Sequence, residues 1–257
     1  MSAPQSRHRV VSKEEWLEAR LAHLAAEKEL TRKREEVAKQ RRELPWEAVE
    51  KNYVFEGPNG PEKLADLFSG QSQLIVYHFM LGPDWAEGCK GCSFLADHFD
   101  GARVHLANRD TSFAVVSHAP MERIQVFQKR MGWRFHWVSS FGTDFNRDYG
   151  VSFTKEEAAG EVYYNYHMMR FGSEEAPGLS VFYKDDSGAV FHTYSTYARG
   201  LDWLIGAYHF LDLVPKGRDE DALPHTMAWV RHHDRYGDLL SLGSVAATGK
   251  PRDAESK

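Results

Sequence analysis

Two cysteines, Cys89 and Cys92, are the only thiols of the 257-residue chain, and they stand three positions apart in "EGCKGC". Two thiols at this spacing can cycle between a dithiol and a disulfide, because the second can reach the first from within one helical turn. They can also supply half of a zinc site, or be two packing residues. The secondary structure predicted around the two cysteines indicates whether they are a redox pair, metal ligands or packing residues.

The flanking segments place the pair between a strand and a helix. Residues 73–80, "QLIVYHFM", are an apolar run of the length of a buried central strand, and residues 92–105 continue as a helix. The N-terminal end of a helix stabilises an anion through its unpaired N–H groups and its dipole. We therefore predict that Cys89 is the attacking thiolate and that Cys92 resolves the mixed disulfide.

The neighbouring residues act in opposite directions on the pKa of the Cys89 thiol. Lys90 favours the thiolate, whereas Asp84 and Glu87 oppose it, and the sequence alone leaves the net shift open. The two glycines of "EGCKGC" are expected to leave the Cys89 sulfur open to a disulfide of another molecule. The sequence thus predicts the kind of chemistry that the pair performs, but not the pKa of Cys89.

The rest of the chain predicts the elements that hold the pair. Before it, "YVFEGPNGPEKLADLF" is typical of a strand, a turn and a helix from near Pro61. After it, we predict a strand at 112–118, a helix at 120–131, a strand in "RFHWVSS", an aromatic-rich insertion at 141–176, a hairpin turning at 185–188 and a closing helix at 200–214. This order is that of the thioredoxin fold, an α/β architecture with a central mixed sheet flanked by helices.

A long helix is predicted from Ser12 to Glu43, with the capping-box spacing of Ser12 and Glu15 at its start. Its first half carries an apolar stripe, and its second half is charged and can lie in water. The stripe would pack on its own domain or on a second copy of the chain, which makes a homodimer a hypothesis. The expected organisation is a helical extension at 1–51, a thioredoxin-like domain at 52–238 and a disordered tail at 239–257.

The composition limits the partners and the compartment. A formal net charge of −5 and a pI near 6.2 argue against affinity for nucleic acid or for anionic membranes, which requires a basic surface. No run of about 18 apolar residues predicts a membrane helix. The start of the sequence lacks the apolar core of a secretory signal, so the cytoplasm is the expected compartment. In a reducing cytoplasm, two close cysteines are more often redox-active or metal-binding than structural.

Several long motifs carry a resemblance to a known family. They are "LADLFSGQSQLIVYHFM", "GPDWAEGCKGCSF", "LSVFYKDDSGAVFHTYSTYARGLD" and "MAWVRHHDRYG", within residues 52–236. The sequence resembles a family of bacterial thioredoxin-like proteins that are described as predicted dithiol-disulfide oxidoreductases. The resemblance implies a thioredoxin-like sheet with Cys89 and Cys92 as its redox centre, and it implies no particular substrate.

The sequence also departs from thioredoxin itself. Thioredoxins have a Trp directly before the first cysteine, whereas here Trp85 lies four residues upstream and could cover the site from its loop. Thioredoxins place a cis-proline just before the hairpin strand, and Pro177 is the candidate, although Gly178 intervenes. A trans proline in a loop is the alternative. Trp85, Lys90 and Pro177 are therefore the predicted supporting residues.

Two other functions compete with dithiol chemistry. Peroxiredoxins, which resemble this plan, place a Thr or Ser three residues before the attacking cysteine, and that position is Ala86 here. A metal site or metallochaperone would need further ligands, with His78 and His98 nearby, yet no His-x3-5-His pair accompanies the cysteines. The pair His232-His233 was open to a metal or pH-sensitive role, and an exposed position at a helix end is the alternative.

We therefore predict a thiol-disulfide oxidoreductase that uses no cofactor and no metal. Its partner would be a disulfide-containing protein or a low-molecular-weight thiol or disulfide. A thiol peroxidase, a metal-binding protein and a binding domain without turnover remain the alternatives at this point.

Overall fold

The computed structural model describes residues 8–237, so the tail expected at 239–257 lies outside the described residues. The chain divides into two compact units between Trp46 and Glu47. The division falls there because Glu47 and Ala48 already pair with a strand near the end of the second unit. Among the described residues, no helix combines the length and the apolar composition that crossing a bilayer requires.

The first unit contains one long helix, α1 (Lys13–Arg42). The Ser12 hydroxyl accepts from the Glu15 N–H at 3.2 Å, and the Glu15 carboxylate accepts from the Ser12 N–H at 3.0 Å. This reciprocal pair satisfies two N–H groups that the helix itself leaves unpaired. The long helix and its capping box are therefore confirmed. None of the side chains of α1 is buried.

The described part of the second unit forms an eight-stranded sheet and a separate two-stranded sheet. Along the chain the strands are β1 (Glu47–Ala48), β2 (Val54–Gly57), β3 (Gly60–Lys63), β4 (Gln73–His78), β5 (Thr111–Ser117), β6 (His136–Ser139), β7 (Val162–Tyr164), β8 (His167–Met169), β9 (Gly178–Lys184) and β10 (Val190–Tyr197). The large sheet has the order β1-β10-β9-β4-β5-β6-β2-β3. β5 runs parallel to β4 and β6, whereas β9 is antiparallel to both β4 and β10.

The helices of the second unit are α2 (Lys90–Ala96), α3 (Phe99–Ala107), α4 (Met121–Met131), α5 (Phe145–Asp148), α6 (Lys155–Ala158) and α7 (Gly206–Leu211). Short 3₁₀ helices cover Asp66–Phe68, Ala198–Leu204 and His233–Arg235. The succession β4, α2, β5, α4, β9, β10, α7 is strand, cysteine-bearing helix, parallel strand, helix, antiparallel hairpin and helix. The predicted thioredoxin-like α/β fold is therefore confirmed.

Successive side chains of β4 pack on opposite faces of the sheet, as the period of a strand requires. Tyr77 belongs to the core cluster that includes Cys92 and the apolar side of α4. Leu74 and Val76 pack into the other cluster, with Phe145. The thiol site is thus built on the face of the sheet to which Tyr77 points.

The structure corrects three expected helices. Pro61 lies in β3, because the turn at Gly60, with φ 120°, returns the chain as a hairpin, and only the three-residue 3₁₀ helix Asp66–Phe68 follows. The helix expected at 92–105 is two helices, α2 and α3, separated at His98. The helix expected at 200–214 is a 3₁₀ helix followed by the short α7, because Ile205 has a ψ of 87° and interrupts the helical path.

The segment at 141–176 is an insertion packed on the domain, as expected from its aromatic content. It contributes α5, α6 and the hairpin β7-β8. Its side chains form a third apolar cluster, in which Val151, Val162, Tyr164 and Ala176 meet Tyr197 of β10. The insertion therefore joins the edge of the sheet that leads into the 3₁₀ helix Ala198–Leu204.

Candidate dithiol site

Both cysteines lie at the N-terminal end of α2. Cys89 is the residue before the first helical turn and is partly exposed, whereas Cys92 is buried inside that turn. The Cys89 N–H donates to the Met80 carbonyl at 3.0 Å, which ties the start of the helix to the segment that leaves β4. The sequence prediction of a strand followed by a helix carrying the two thiols is thus matched by the structure.

The two thiols have opposite electrostatic properties. The pKa of Cys89 is lowered to about 6, chiefly because Cys92 donates its S–H to the Cys89 sulfur, with further help from the N–H groups of Gly91 and Cys92 and from the charge of Lys90. Burial opposes this shift without reversing it. The pKa of Cys92 is raised well above its ordinary value, because burial disfavours its thiolate. One thiol is thus set up as the anion and the other as its hydrogen-bond donor.

Tyr77 is a third member of the site that the sequence reasoning missed. Its hydroxyl lies within hydrogen-bonding reach of Cys92, and this contact lowers the pKa of Cys92 against the larger effect of burial. Tyr77 is 1% exposed and sits in the middle of the apolar run of β4. The sequence signal that could have revealed this role is a tyrosine, with its polar hydroxyl, inside an otherwise apolar strand.

The acidic residue just before the pair is neutralised by other side chains. Glu87 forms ion pairs with Arg130 at 2.9 Å and with Arg235 at 2.7 Å, and the pKa of its carboxyl is lowered chiefly by the Arg130 hydrogen bond. Asp84 is exposed to solvent. From the sequence, both carboxylates were expected to disfavour the Cys89 thiolate. This effect of Glu87 is weakened, because its charge is paired with two cationic side chains.

His232 is buried against the loop that carries Cys89, which corrects the expectation of an exposed histidine pair. It is 2% exposed, its Nε2–H donates to the Gly88 carbonyl at 2.9 Å, and its Nδ1 lies 3.0 Å from Glu87. His233 is the exposed member and pairs with Asp97 at 2.7 Å. The expectation failed because a short-range reading of the sequence cannot show that the chain end returns to the thiol loop.

The two glycines of the motif have different structural roles. A Cβ on Gly88 would lie 2.5 Å from Phe79 and 2.6 Å from Phe127, so this glycine permits close packing of the loop on the core. A Cβ on Gly91 would lie 3.8 Å from the Cys89 sulfur and 3.4 Å from Met227. The predicted role in keeping the sulfur accessible therefore fits Gly91, and Gly88 serves the packing instead.

A cavity of about 290 Å³ opens beside the pair and has both cysteines in its wall. Tyr77 and Gly91 line it from the thiol side, and Pro177 lines it from the start of β9. The remaining wall comes from Met80 and Leu95 near the thiols and from three distant parts of the chain, namely Phe171 of the insertion, residues 198–208 and residues 218–227. A ligand in this cavity would have direct access to the thiols.

The three predicted supporting residues lie in different places. Lys90 is exposed at the first position of α2 and favours the Cys89 thiolate by its charge. Pro177 lines the cavity, and its carbonyl accepts from the Tyr164 hydroxyl at 2.7 Å; the peptide bonds of the described residues are all trans. Trp85 is outside the set of cavity-lining residues and packs over Gly82, where a Cβ would lie 2.8 Å from its Nε1.

The histidines that were considered as metal ligands have protein partners. Nε2 of His78 lies 2.9 Å from the Ser180 hydroxyl, and burial lowers the pKa of His78 to about 3. Nε2 of His98 accepts from the Ala207 N–H at 3.1 Å. Within residues 8–237, no group of three or more His, Cys, Asp or Glu side chains is arranged to hold a metal ion.

The fold and the position of the cysteines define a thioredoxin-like protein. The chain belongs to the family DUF899, described as a bacterial protein of unknown function, whose model matches residues 5–236. This confirms the resemblance to an uncharacterised thioredoxin-like family. A search of curated proteins found no match.

Three solved structures with a similar backbone fold are a peroxidoxin, a thiol:disulfide interchange protein and a peroxiredoxin. Peroxidoxin BcpB from Mycobacterium tuberculosis is 15% identical, with a TM-score of 0.42 over 63% of this chain and 94% of that one. A protein from Chlorobium tepidum, described as the thiol:disulfide interchange protein DsbE, is 14% identical, with a TM-score of 0.40 over 64% and 97%. A Cys-to-Ser variant of peroxiredoxin Q from Xanthomonas campestris is 13% identical, with a TM-score of 0.41 over 65% and 98%.

Proposed function

We propose that this protein is a thiol-disulfide oxidoreductase in which Cys89 attacks a disulfide and Cys92 resolves the mixed disulfide. The observation that carries the proposal is the asymmetry of the pair, since the pKa of Cys89 is lowered to about 6 while that of Cys92 is raised. A nucleophile must be a thiolate near neutral pH, and a resolving thiol must stay protonated until the first step is complete.

The reaction proceeds in two exchanges. In the first, the Cys89 thiolate attacks one sulfur of the substrate disulfide, forms a mixed disulfide and releases the other sulfur as a thiolate. The S–H of Cys92 then has no anion to donate to, because the Cys89 sulfur has become part of a disulfide. In the second exchange, Cys92 loses its proton, attacks the Cys89 sulfur and releases the second substrate thiolate. Two electrons pass to the substrate, and a dithiol reductant restores the pair.

The experiment that tests the proposal compares substrates and variants. The full-length protein is assayed with a dithiol reductant on a disulfide peptide, on a small dialkyl disulfide and, separately, on hydrogen peroxide. We expect turnover of at least one of the two disulfides by the wild type, none by Cys89→Ser, and accumulation of a mixed disulfide on Cys89 in Cys92→Ser, which mass spectrometry of the intact protein detects.

Three results would contradict this function. Fast Cys89-dependent reduction of peroxide without turnover of either disulfide would identify a thiol peroxidase, although Ala86 lacks the hydroxyl that peroxiredoxins place there. Stoichiometric metal in the purified protein, bound through the two thiols, would identify a metal-binding protein. Absence of metal, with turnover of neither disulfide, would leave a binding domain.

A further inference from the structure

The cavity beside the thiols has an apolar wall. Its apolar lining residues come from segments that are far apart in the sequence. They include Met80, Leu95, Phe171, Leu201, Ile205 and Met227. Leu95, Leu201 and Ile205 are themselves almost fully buried, so the wall is continuous with the core. A ligand that fills such a space gains free energy by removing carbon from water, by about 25 cal/mol for each Å² of apolar surface buried.

The charged side chains at the rim of the cavity are paired with one another. Arg218 binds Asp212 through two hydrogen bonds of 2.7 and 2.8 Å and stacks on Tyr208, 3.9 Å from its ring centre. Arg199 binds Asp202 at 2.9 Å. A charged ligand would have to compete with these partners, so the rim favours a neutral one.

Met227 is held over the thiol side of the cavity in an unusual backbone conformation. Its φ is 65°, in the left-handed region that an unbranched L-residue rarely adopts. Glu220 fixes this conformation, because its carboxylate accepts from the Met227 N–H at 3.0 Å, the Trp229 indole at 2.6 Å and the Tyr208 hydroxyl at 2.8 Å. Backbone strain of this kind, fixed by a carboxylate on which three donors converge, is found most often at functional sites.

The volume restricts the size of the ligand. A cavity of about 290 Å³ is at the small end of the range for ligand pockets, which is about 300–1,000 Å³. It therefore suits a compact ligand such as a small dialkyl disulfide. Oxidised glutathione is several times larger and carries charged groups at both ends, so neither the space nor the rim suits it.

We propose that the cavity is the substrate site for a compact, neutral, low-molecular-weight disulfide with an apolar body. This inference rests on the proposed dithiol function and names its substrate class. Cys89 attacks one sulfur of the bound disulfide, the S–S bond breaks and one small thiolate leaves, which takes up the proton that Cys92 loses. The Cys92 thiolate then attacks the Cys89 sulfur and displaces the second thiolate. The pair is left oxidised, and a dithiol reductant returns its two electrons.

Binding is tested without turnover by a protection experiment on the reduced full-length protein. Butyl propyl sulfide has the same number of non-hydrogen atoms as dipropyl disulfide but cannot exchange. We expect it to slow iodoacetamide labelling of Cys89 at least fivefold at saturation, whereas S-methylglutathione, a charged thioether that also cannot exchange, gives no protection. Equal labelling rates with and without the sulfide would overturn the proposed site.

Selectivity is tested by turnover, with each rate divided by the rate at which free dithiothreitol reduces the same disulfide. We expect kcat/KM for dipropyl disulfide to exceed that for oxidised glutathione at least tenfold. Gly91→Leu should lower it at least tenfold by filling the cavity beside Met227. Gly101→Leu is the matched control, because Gly101 is also helical and a Cβ there meets nothing within 4 Å.

The outcomes separate the two proposals. Turnover of a disulfide peptide with no protection by the sulfide and no preference for the dialkyl disulfide would leave the dithiol function standing and overturn the substrate site. Protection by the sulfide without turnover of any disulfide would support the site and overturn the dithiol function. If Gly91→Leu failed to fold, the protection experiment on the wild type would still decide.

Discussion

His232 donates a hydrogen bond from Nε2 to the carbonyl of Gly88, at 2.9 Å, across 144 positions of the sequence. The residue that accepts is the immediate neighbour of Cys89. The end of the described chain therefore holds the thiol loop directly, and the loop depends on that end for a hydrogen-bond partner of one of its buried carbonyls.

The first prediction concerns this contact. His232→Ala removes the donor to Gly88, the contact with Glu87 and a ring that packs edge-on against Phe127. We expect a loss of about 1–3 kcal/mol in the free energy of unfolding, because a buried carbonyl loses its partner. His233→Ala is the control, since this exposed neighbour should change stability by no more than about 0.5 kcal/mol. Denaturant unfolding measures both, and equal effects would contradict the account.

The second prediction concerns the packing of the loop. Gly88→Ala places a methyl group 2.5 Å from Phe79 and 2.6 Å from Phe127, which are both core rings. We expect a destabilisation of about 1–3 kcal/mol, the usual effect of overpacking. Gly101→Ala, where the methyl group meets nothing within 4 Å, should instead stabilise the helix by about 0.5–1 kcal/mol. A neutral Gly88→Ala would show that the loop is loosely packed.

The third prediction assigns the role of Tyr77. Tyr77→Phe removes the hydroxyl that lowers the pKa of Cys92, so the second exchange should slow by roughly fivefold, which corresponds to about 1 kcal/mol for one hydrogen bond. The first exchange should be unchanged. Stopped-flow measurement of formation and decay of the mixed disulfide separates the two steps. An equal slowing of both steps would indicate a purely structural role.

The fourth prediction concerns helix α1 and self-association. Trp16, Leu17 and Leu21 are 58%, 48% and 56% exposed, which leaves an apolar stripe along the first half of the helix. We expect the full-length protein to be a dimer that buries this stripe, and the triple change of these residues to Gln to give a monomer. Val126→Gln, on the exposed side of α4, is the control. Light scattering decides, and a monomeric wild type would remove the hypothesis.

The local features of the site were predictable from the sequence because they depend on neighbours in the chain. The apolar run of β4, the helix after it and the spacing of the two cysteines together predict a thiol pair at a helix N-terminus. The proposed roles of Cys89 and Cys92 were inferred from that position. The same local logic found the capping box at Ser12 and the hairpin that includes β9.

The features that escaped prediction depend on contacts between distant segments. The cavity wall combines Phe171, Leu201 and Met227, and no periodicity links them. His232 could not be placed, because its partners lie 144 positions away. The break at Ile205 is marked only by Gly206, and a single glycine inside a helical pattern does not by itself predict a break, so the sequence favoured one continuous helix there.

The central claim is that Cys89 is a thiolate near neutral pH and that Cys92 is a buried thiol. The most direct test is the rate of iodoacetamide labelling of each cysteine in the reduced protein from pH 5 to 9, read by peptide mass spectrometry. Since the pKa of Cys89 is lowered to about 6, its labelling rate should rise through pH 6 and level off by pH 7 to 8, with Cys92 labelled far more slowly throughout. Preferential labelling of Cys92, or a Cys89 rate that keeps rising above pH 8 like that of an ordinary thiol, would contradict the account.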